Sequence, residues 1–137
     1  MKLAIVAATM IAMASPAVAA DLTLRLSTRS AGGSLAVAVY RDAEAFRRGE
    51  GPVASRTVPR TGAVTAVTFT GLPAGRYAVA AFHDTDGNGD LTLWPIGLPR
   101  EAYGFSNDAR SRFGPPSFAR AAFDLPAAGA TRAFRLH

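Results

Sequence analysis

From Leu22 the chain alternates, with Leu22, Leu24 and Leu26 apolar and Thr23 and Arg25 polar between them. A period of two puts one face of a strand against a core and leaves the other wet. The pattern returns in Ser34–Tyr40, where Leu35, Val37 and Val39 share a face, and Ala31-Gly32-Gly33 supplies a turn signal between the two runs. The two are expected to pair as a hairpin. Asp42–Arg48 reads differently, with an acid early, two bases late and Gly49 beyond. That order of charges suits a short surface helix, too short to be stable alone. Val53–Val58 and Val64–Phe69 read as two more strands, split by Pro59 and Gly62.

Gly71-Leu72-Pro73-Ala74-Gly75 then reads as a tight turn. Beyond it Tyr77, Val79, Ala81 and His83 alternate with Ala78, Ala80 and Phe82. Small or apolar residues on both faces predict a central strand covered on both sides. From Asp84 to Pro116 no period persists, and Gly, Pro, Asn and aromatic residues dominate. So long an irregular stretch is functional or disordered. Leu91, Leu93, Trp94, Ile96, Leu98, Tyr103, Phe105, Phe113 and Phe118 argue for order, because they supply apolar area to dock it. Ala121–Leu125 and Thr131–Leu136 close the chain as strands, divided by Pro126 and Gly129. About seven short strands with frequent turn signals predict an all-β fold, an antiparallel β-sandwich with one long ordered loop.

The first twenty residues change the picture of where this sandwich works. Lys2 precedes an apolar run, Leu3 to Ala14, and Ala17-Val18-Ala19 has the small-residue form of a cleavage site. The run falls short of the roughly 20 residues that span a bilayer, so it reads as a signal peptide rather than an anchor. The expected mature chain starts at Ala20 or Asp21 and forms one domain, 21–137, of about 117 residues, periplasmic or secreted, with no transmembrane segment. It has no Cys, so packing must hold it together without disulfides. Apart from Lys2 every basic residue is Arg. These Arg are scattered along an exported chain, which argues against a nucleic-acid partner.

Gly71–Asp84, GLPAGRYAVAAFHD, resembles the corner that turns the chain into a core strand in immunoglobulin-like and transthyretin-like sandwiches of secreted proteins. A longer resemblance is carried by Phe82–Gly89 (FHDTDGNG), Gly97–Asn107 (GLPREAYGFSN) and Phe113–Phe118 (FGPPSF). With the signal peptide, these motifs are similar to those of a family of small exported bacterial proteins known only as a domain of unknown function. With the preceding strands counted, the match spans nearly all of the mature chain. The resemblance implies a secreted sandwich and no particular activity.

Three features carry candidate chemistry. Asp84, Asp86, Asn88 and Asp90 have the spacing of the first half of a calcium loop, so Ca²⁺ is the cofactor the sequence raises. The bidentate Glu that completes an EF-hand is replaced by Pro95, so the missing oxygens would have to come from Glu101, Asn107 or Asp108. The plainer alternative is a turn in which Asp and Asn bond their own backbone. Next, His83 is the one internal histidine. With Asp84 or Asp86 it raises a hydrolase, but neighbours on a strand point to opposite faces, and a buried structural histidine is the expectation. Finally, Arg100, Tyr103, Arg110 and Arg112 interleave guanidinium groups with aromatic rings, a combination suited to carboxylates, phosphates or sugars. Against that stands a reading in which the aromatics pin the loop and the Arg are solvated or paired with Asp108 and Glu101. The expected function is a non-enzymatic binding or accessory module whose working face combines the Asp84–Asp90 loop with the Arg100–Phe118 segment. Its expected partner is an envelope glycan, lipid or protein. The alternatives are a purely structural envelope protein and the hydrolase.

Overall fold

The computed structural model describes residues 19–85, 101–112 and 114–137. The stretch 1–18, and with it the signal-peptide reading, lies outside them. Among the described residues eight strands form in chain order: β1 (Ala19–Ser27), β2 (Ser34–Tyr40), β3 (Ala54–Pro59), β4 (Val64–Pro73), β5 (Gly75–Asp84), β6 (Tyr103–Phe105), β7 (Phe123–Leu125) and β8 (Ala130–Arg135). Helix α1 (Ala43–Arg48) follows β2, and α2 (Phe118–Ala121) precedes β7. Both expected starting residues of the mature chain, Ala20 and Asp21, lie within β1. No helix among the described residues is long and apolar enough to cross a membrane.

One sheet has the order β4-β1-β8; the other runs β3-β2-β5-β6, with β7 also on β5. The molecule is an all-β sandwich. All pairs are antiparallel except β1 with β8, which is parallel. The expected hairpin of β1 with β2 does not form, since β1 pairs with β4 and β8 while β2 pairs with β3 and β5. The physical reason is that each strand has one apolar face. Leu22, Leu24 and Leu26 bury against Leu35, Val37 and Val39 in one core when the strands belong to different layers. The turn at Gly32 and Gly33 therefore crosses between sheets.

The expected tight turn at Gly71–Gly75 is also corrected. β4 continues through Pro73, and the chain reverses at Ala74. Gly71, at φ 73°, instead serves a bulge, where the register with β1 slips between Ala20 and Leu22. The Tyr77 hydroxyl donates back to the Pro73 carbonyl, which fixes this corner as in other sandwiches. A third correction concerns Ala121, which ends α2 instead of opening a strand. The Ser117 side chain caps that helix by accepting from the Arg120 N–H.

α1 forms as its charges predict. The Asp42 carboxylate accepts from the Ala45 N–H at 2.9 Å, and Gly49 closes the helix in the left-handed region. β5 is the central strand the double alternation predicts. Tyr77, Val79 and Ala81 join the core between the sheets, while Ala78 faces outward into a second cluster with Tyr40, Phe46 and Ala121. The two helices thus cover part of the outer face of β5. Phe46 holds Phe105 and Phe118 edge-on, with ring centroids 5.8 and 6.0 Å away. Phe105 and Phe118 thus dock on α1, while 86–100 and Phe113 of the long segment lie outside the described residues.

Candidate functional site

Two sets of polar groups flank β6. The first closes the end of β5. His83 is 1% exposed, and its Nε2 lies 2.6 Å from the Gly32 carbonyl. A carbonyl only accepts, so Nε2 carries the proton. Asp84 is buried beside it in sequence, and Glu101 is buried too. One Glu101 carboxylate oxygen, Oε2, accepts from the Thr85 N–H at 2.6 Å and from the Thr85 hydroxyl at 3.3 Å. The calcium reading wanted Glu101 at the root of the loop, and the fold brings it there. The side chains of the other two oxygen sources are anchored elsewhere. The Asn107 side-chain amide donates to the carbonyls of Arg120 and Ala122, and the Asp108 carboxylate accepts from the Arg135 N–H at 2.8 Å. Asp86, Asn88 and Asp90 lie outside the described residues. Among the described residues no three His, Asp or Glu side chains gather as a metal site.

The segment between the two sets is built to close the sandwich. β6 and β7 both pair with the same edge of β5, at Ala80–Phe82 and at Gly75–Tyr77. Val79 falls in the gap between them, and the Ser106 hydroxyl fills it. That oxygen accepts from the Val79 N–H at 2.9 Å and donates to the Ala121 carbonyl at 2.6 Å, and Ser106 is fully buried. Asn107, at φ 61°, takes the left-handed bend that Asn tolerates better than most residues. Gly104 has no room for a side chain, because a Cβ would overlap the Arg135 carbonyl. The Gly-Phe-Ser-Asn part of the family-like motif is therefore architectural: Gly104 allows β8 to approach, Phe105 docks on Phe46, and Ser106 and Asn107 tie the chain.

The second set lies where β6 meets the end of β8. Tyr103 and His137 exchange backbone hydrogen bonds, 2.9 and 3.1 Å long, and so join the two sheets. Beside this seam is a cavity of about 270 Å³, lined among others by Tyr103, Phe105, Asp108, Arg110, Arg135 and His137. A shallower recess of about 480 Å³ shares Asp108, Arg110, Arg135 and His137 and extends the basic surface towards Ser27. The His137 imidazole is held below its ordinary value, first by desolvation and then by the charges of Arg110 and Arg135, with Asp108 opposing and Arg29 adding to them. Desolvation is the larger cause, and the guanidinium groups add to it. Among the described residues the one ion pair is Arg47 with Glu44, far along the chain on α1. Arg110 and Arg135 therefore face the cavity without a carboxylate partner among those residues. The Arg120 guanidinium donates to the Arg110 carbonyl at 3.3 Å and steadies that stretch of backbone.

Of the residues the sequence singled out for ligand binding, Tyr103 and Arg110 meet in this cavity. Arg112 is exposed and does not line it, and Arg100 lies outside the described residues. Neither Arg110 nor Arg112 pairs with Asp108 or Glu101, whose carboxylates accept the N–H groups of Arg135 and Thr85. Sequence reasoning missed Arg135 and His137. A signal was present: Phe134 and Leu136 are buried, so the residues alternating with them must face outward. What alternation could not reveal is that this outward face borders β6.

No curated protein and no solved structure matches the chain. A family model does, over residues 27–133, and its span takes in β2 through β7, the Ser106 closure and Arg110. The chain belongs to that family, DUF2141, described as an uncharacterized protein conserved in bacteria.

Proposed function

We propose that the protein is an exported, non-enzymatic binding module whose working face is the basic seam between β6 and β8, and that this seam takes small anionic groups. One observation carries the reading: Arg110 and Arg135 line a shared cavity and form no ion pair among the described residues, against the single carboxylate of Asp108 on the same wall. A guanidinium costs little to leave in water, but two of them turned on one hollow raise its potential and favour an anion. Tyr103 and Phe105 supply apolar and ring surface on the same wall. Carboxylates and phosphates fit this chemistry, as do sugars bearing them. Export is supported by the Lys2, Leu3–Ala14 and Ala17–Ala19 pattern. Burial of the His83 ring, with its Nε2 proton already donated to Gly32, weighs against the hydrolase alternative.

The test is a titration of the purified protein with butyrate and with inorganic phosphate, followed by amide chemical shifts. Shifts should centre on Arg110, Ser111, Arg135 and His137 and weaken as salt is raised. In the double variant Arg110→Ala/Arg135→Ala the affinity should fall at least about tenfold, or about 1.4 kcal/mol. Melting should change little, since both side chains are exposed. Shifts that survive the double variant would sink the reading.

A further inference from the structure

Among the described residues, the outer face of the second sheet is only partly covered. α1 and α2 seal one part of it through Phe46 and Ala121 over Tyr40 and Ala78. Beyond that seal the sheet carries very small residues in register. Ala36 sits between Thr57 of β3 and Phe82 of β5, and Ala38 sits between Ser55 and Ala80. Alanines at these positions leave a trough of about 300 Å³, floored by Ala36, Ala38 and Ala80 and bordered by Phe82, Tyr103 and Phe105. Tyr103 and Phe105 also line the basic cavity. The two hollows therefore adjoin across β6, one apolar and one positively charged.

We infer that trough and seam together bind a single-chain amphiphile with an anionic head, a fatty-acid carboxylate. The inference rests on the anion-binding reading of the seam and adds the nature of the rest of the ligand. Charge complementarity assigns the head, since a carboxylate matches the planar donor fork of Arg110 or Arg135. Continuity assigns the tail, since a chain leaving that head across Tyr103 and Phe105 reaches an alanine-floored apolar trough. The trough has room for one chain of methylene groups; Ser55, Arg56 and Thr57 line its β3 edge, but its floor of Ala36, Ala38 and Ala80 is apolar. Half-exposed Ala36 and Phe82 would lose contact with water under such a chain. Each methylene fully transferred there should raise affinity about fourfold.

The experiment compares butyrate, hexanoate and octanoate, all as monomers, on the purified protein by amide shifts and calorimetry. Affinity should climb at least about tenfold from butyrate to octanoate, with the added shifts on Ala36, Ala38 and Ala80. Ala36→Phe, which fills the trough, should flatten the series and leave butyrate affinity unchanged. Phe82→Ala removes a wall without adding bulk, so it serves where Ala36→Phe perturbs the fold; it should lower octanoate affinity several-fold and spare butyrate. Equal affinity for all three acids overturns the fatty-acid inference while leaving the anion site standing. A length dependence that persists in both variants also overturns it. Octanol binding as tightly as octanoate removes the role of the head, and binding seen only with anionic phospholipid vesicles replaces the monomeric ligand with a membrane surface. If butyrate and phosphate do not bind at all, the seam reading falls and takes this one with it.

Discussion

The cluster at the end of β5 and the cluster at the β6–β8 seam contain similar chemical groups put to opposite uses. At the end of β5, the His83 ring and the Glu101 carboxylate are buried, and each meets a backbone group of the chain itself. At the seam, Arg110, Arg135 and His137 are exposed, and the two guanidinium groups line one hollow. A buried polar group must be satisfied by the fold, since leaving it bare costs about 1–3 kcal/mol. An exposed guanidinium carries no such obligation and stays available. The difference teaches where to look for a ligand: the group that attracts attention by being buried and unusual is already spent on structure.

The largest test of this contrast is His83→Ala. It opens a cavity at a fully enclosed position and leaves the Gly32 carbonyl without its donor, so the expected loss is about 2–4 kcal/mol. That corresponds to a drop in Tm of about 10 °C or more in thermal denaturation. Butyrate affinity at the seam should be unchanged below the new transition. A joint loss of both would show that the two clusters are one site.

A smaller effect concerns His137. Its folded value is depressed below the ordinary 6.5, so it contributes stability that is complete above 6.5 and is lost as pH falls through the folded value. Arg110→Ala removes the largest of the guanidinium contributions. The imidazole midpoint, followed by NMR, should therefore rise towards 6.5, and Arg135→Ala should raise it less. An unmoved midpoint in both variants would mean that the seam is not the concentrated positive field described. The smallest effect is expected from calcium. Thr85 engages the Glu101 carboxylate, and Asn107 and Asp108 are bound elsewhere, so millimolar Ca²⁺ should leave Tm unshifted. A reproducible rise would return the Asp84 loop to metal binding and make the first cluster a site after all.

Much of the fold could be read along the chain where the signal was local. Period-two alternation located β1, β2 and β5 within a few residues, and Asp42 with Gly49 bracketed α1, because caps and side-chain faces depend on near neighbours. β6 escaped because three residues are too few to show a period. The bulge at Gly71 looked like a turn because both need a left-handed glycine. The candidate site was half legible. Tyr103 and Arg110 stood out from an aromatic and Arg-rich run, whereas Arg135 and His137 looked like the wet side of a final strand.

By itself the sequence determined which residues turn inward, since burying alternate apolar side chains is favourable whatever the neighbouring strand. It also pointed to β5 as a central strand and to a buried His83. Only the tertiary structure decided which strands became neighbours. β1 and β2 were parted into two layers so that their leucines and valines could face one another. Gly104 let β6 approach β8, and that contact brought Arg110 to Arg135 and set the basic seam beside the alanine trough. These are long-range choices. They depend on how whole faces pack, and no window of the chain contains both partners.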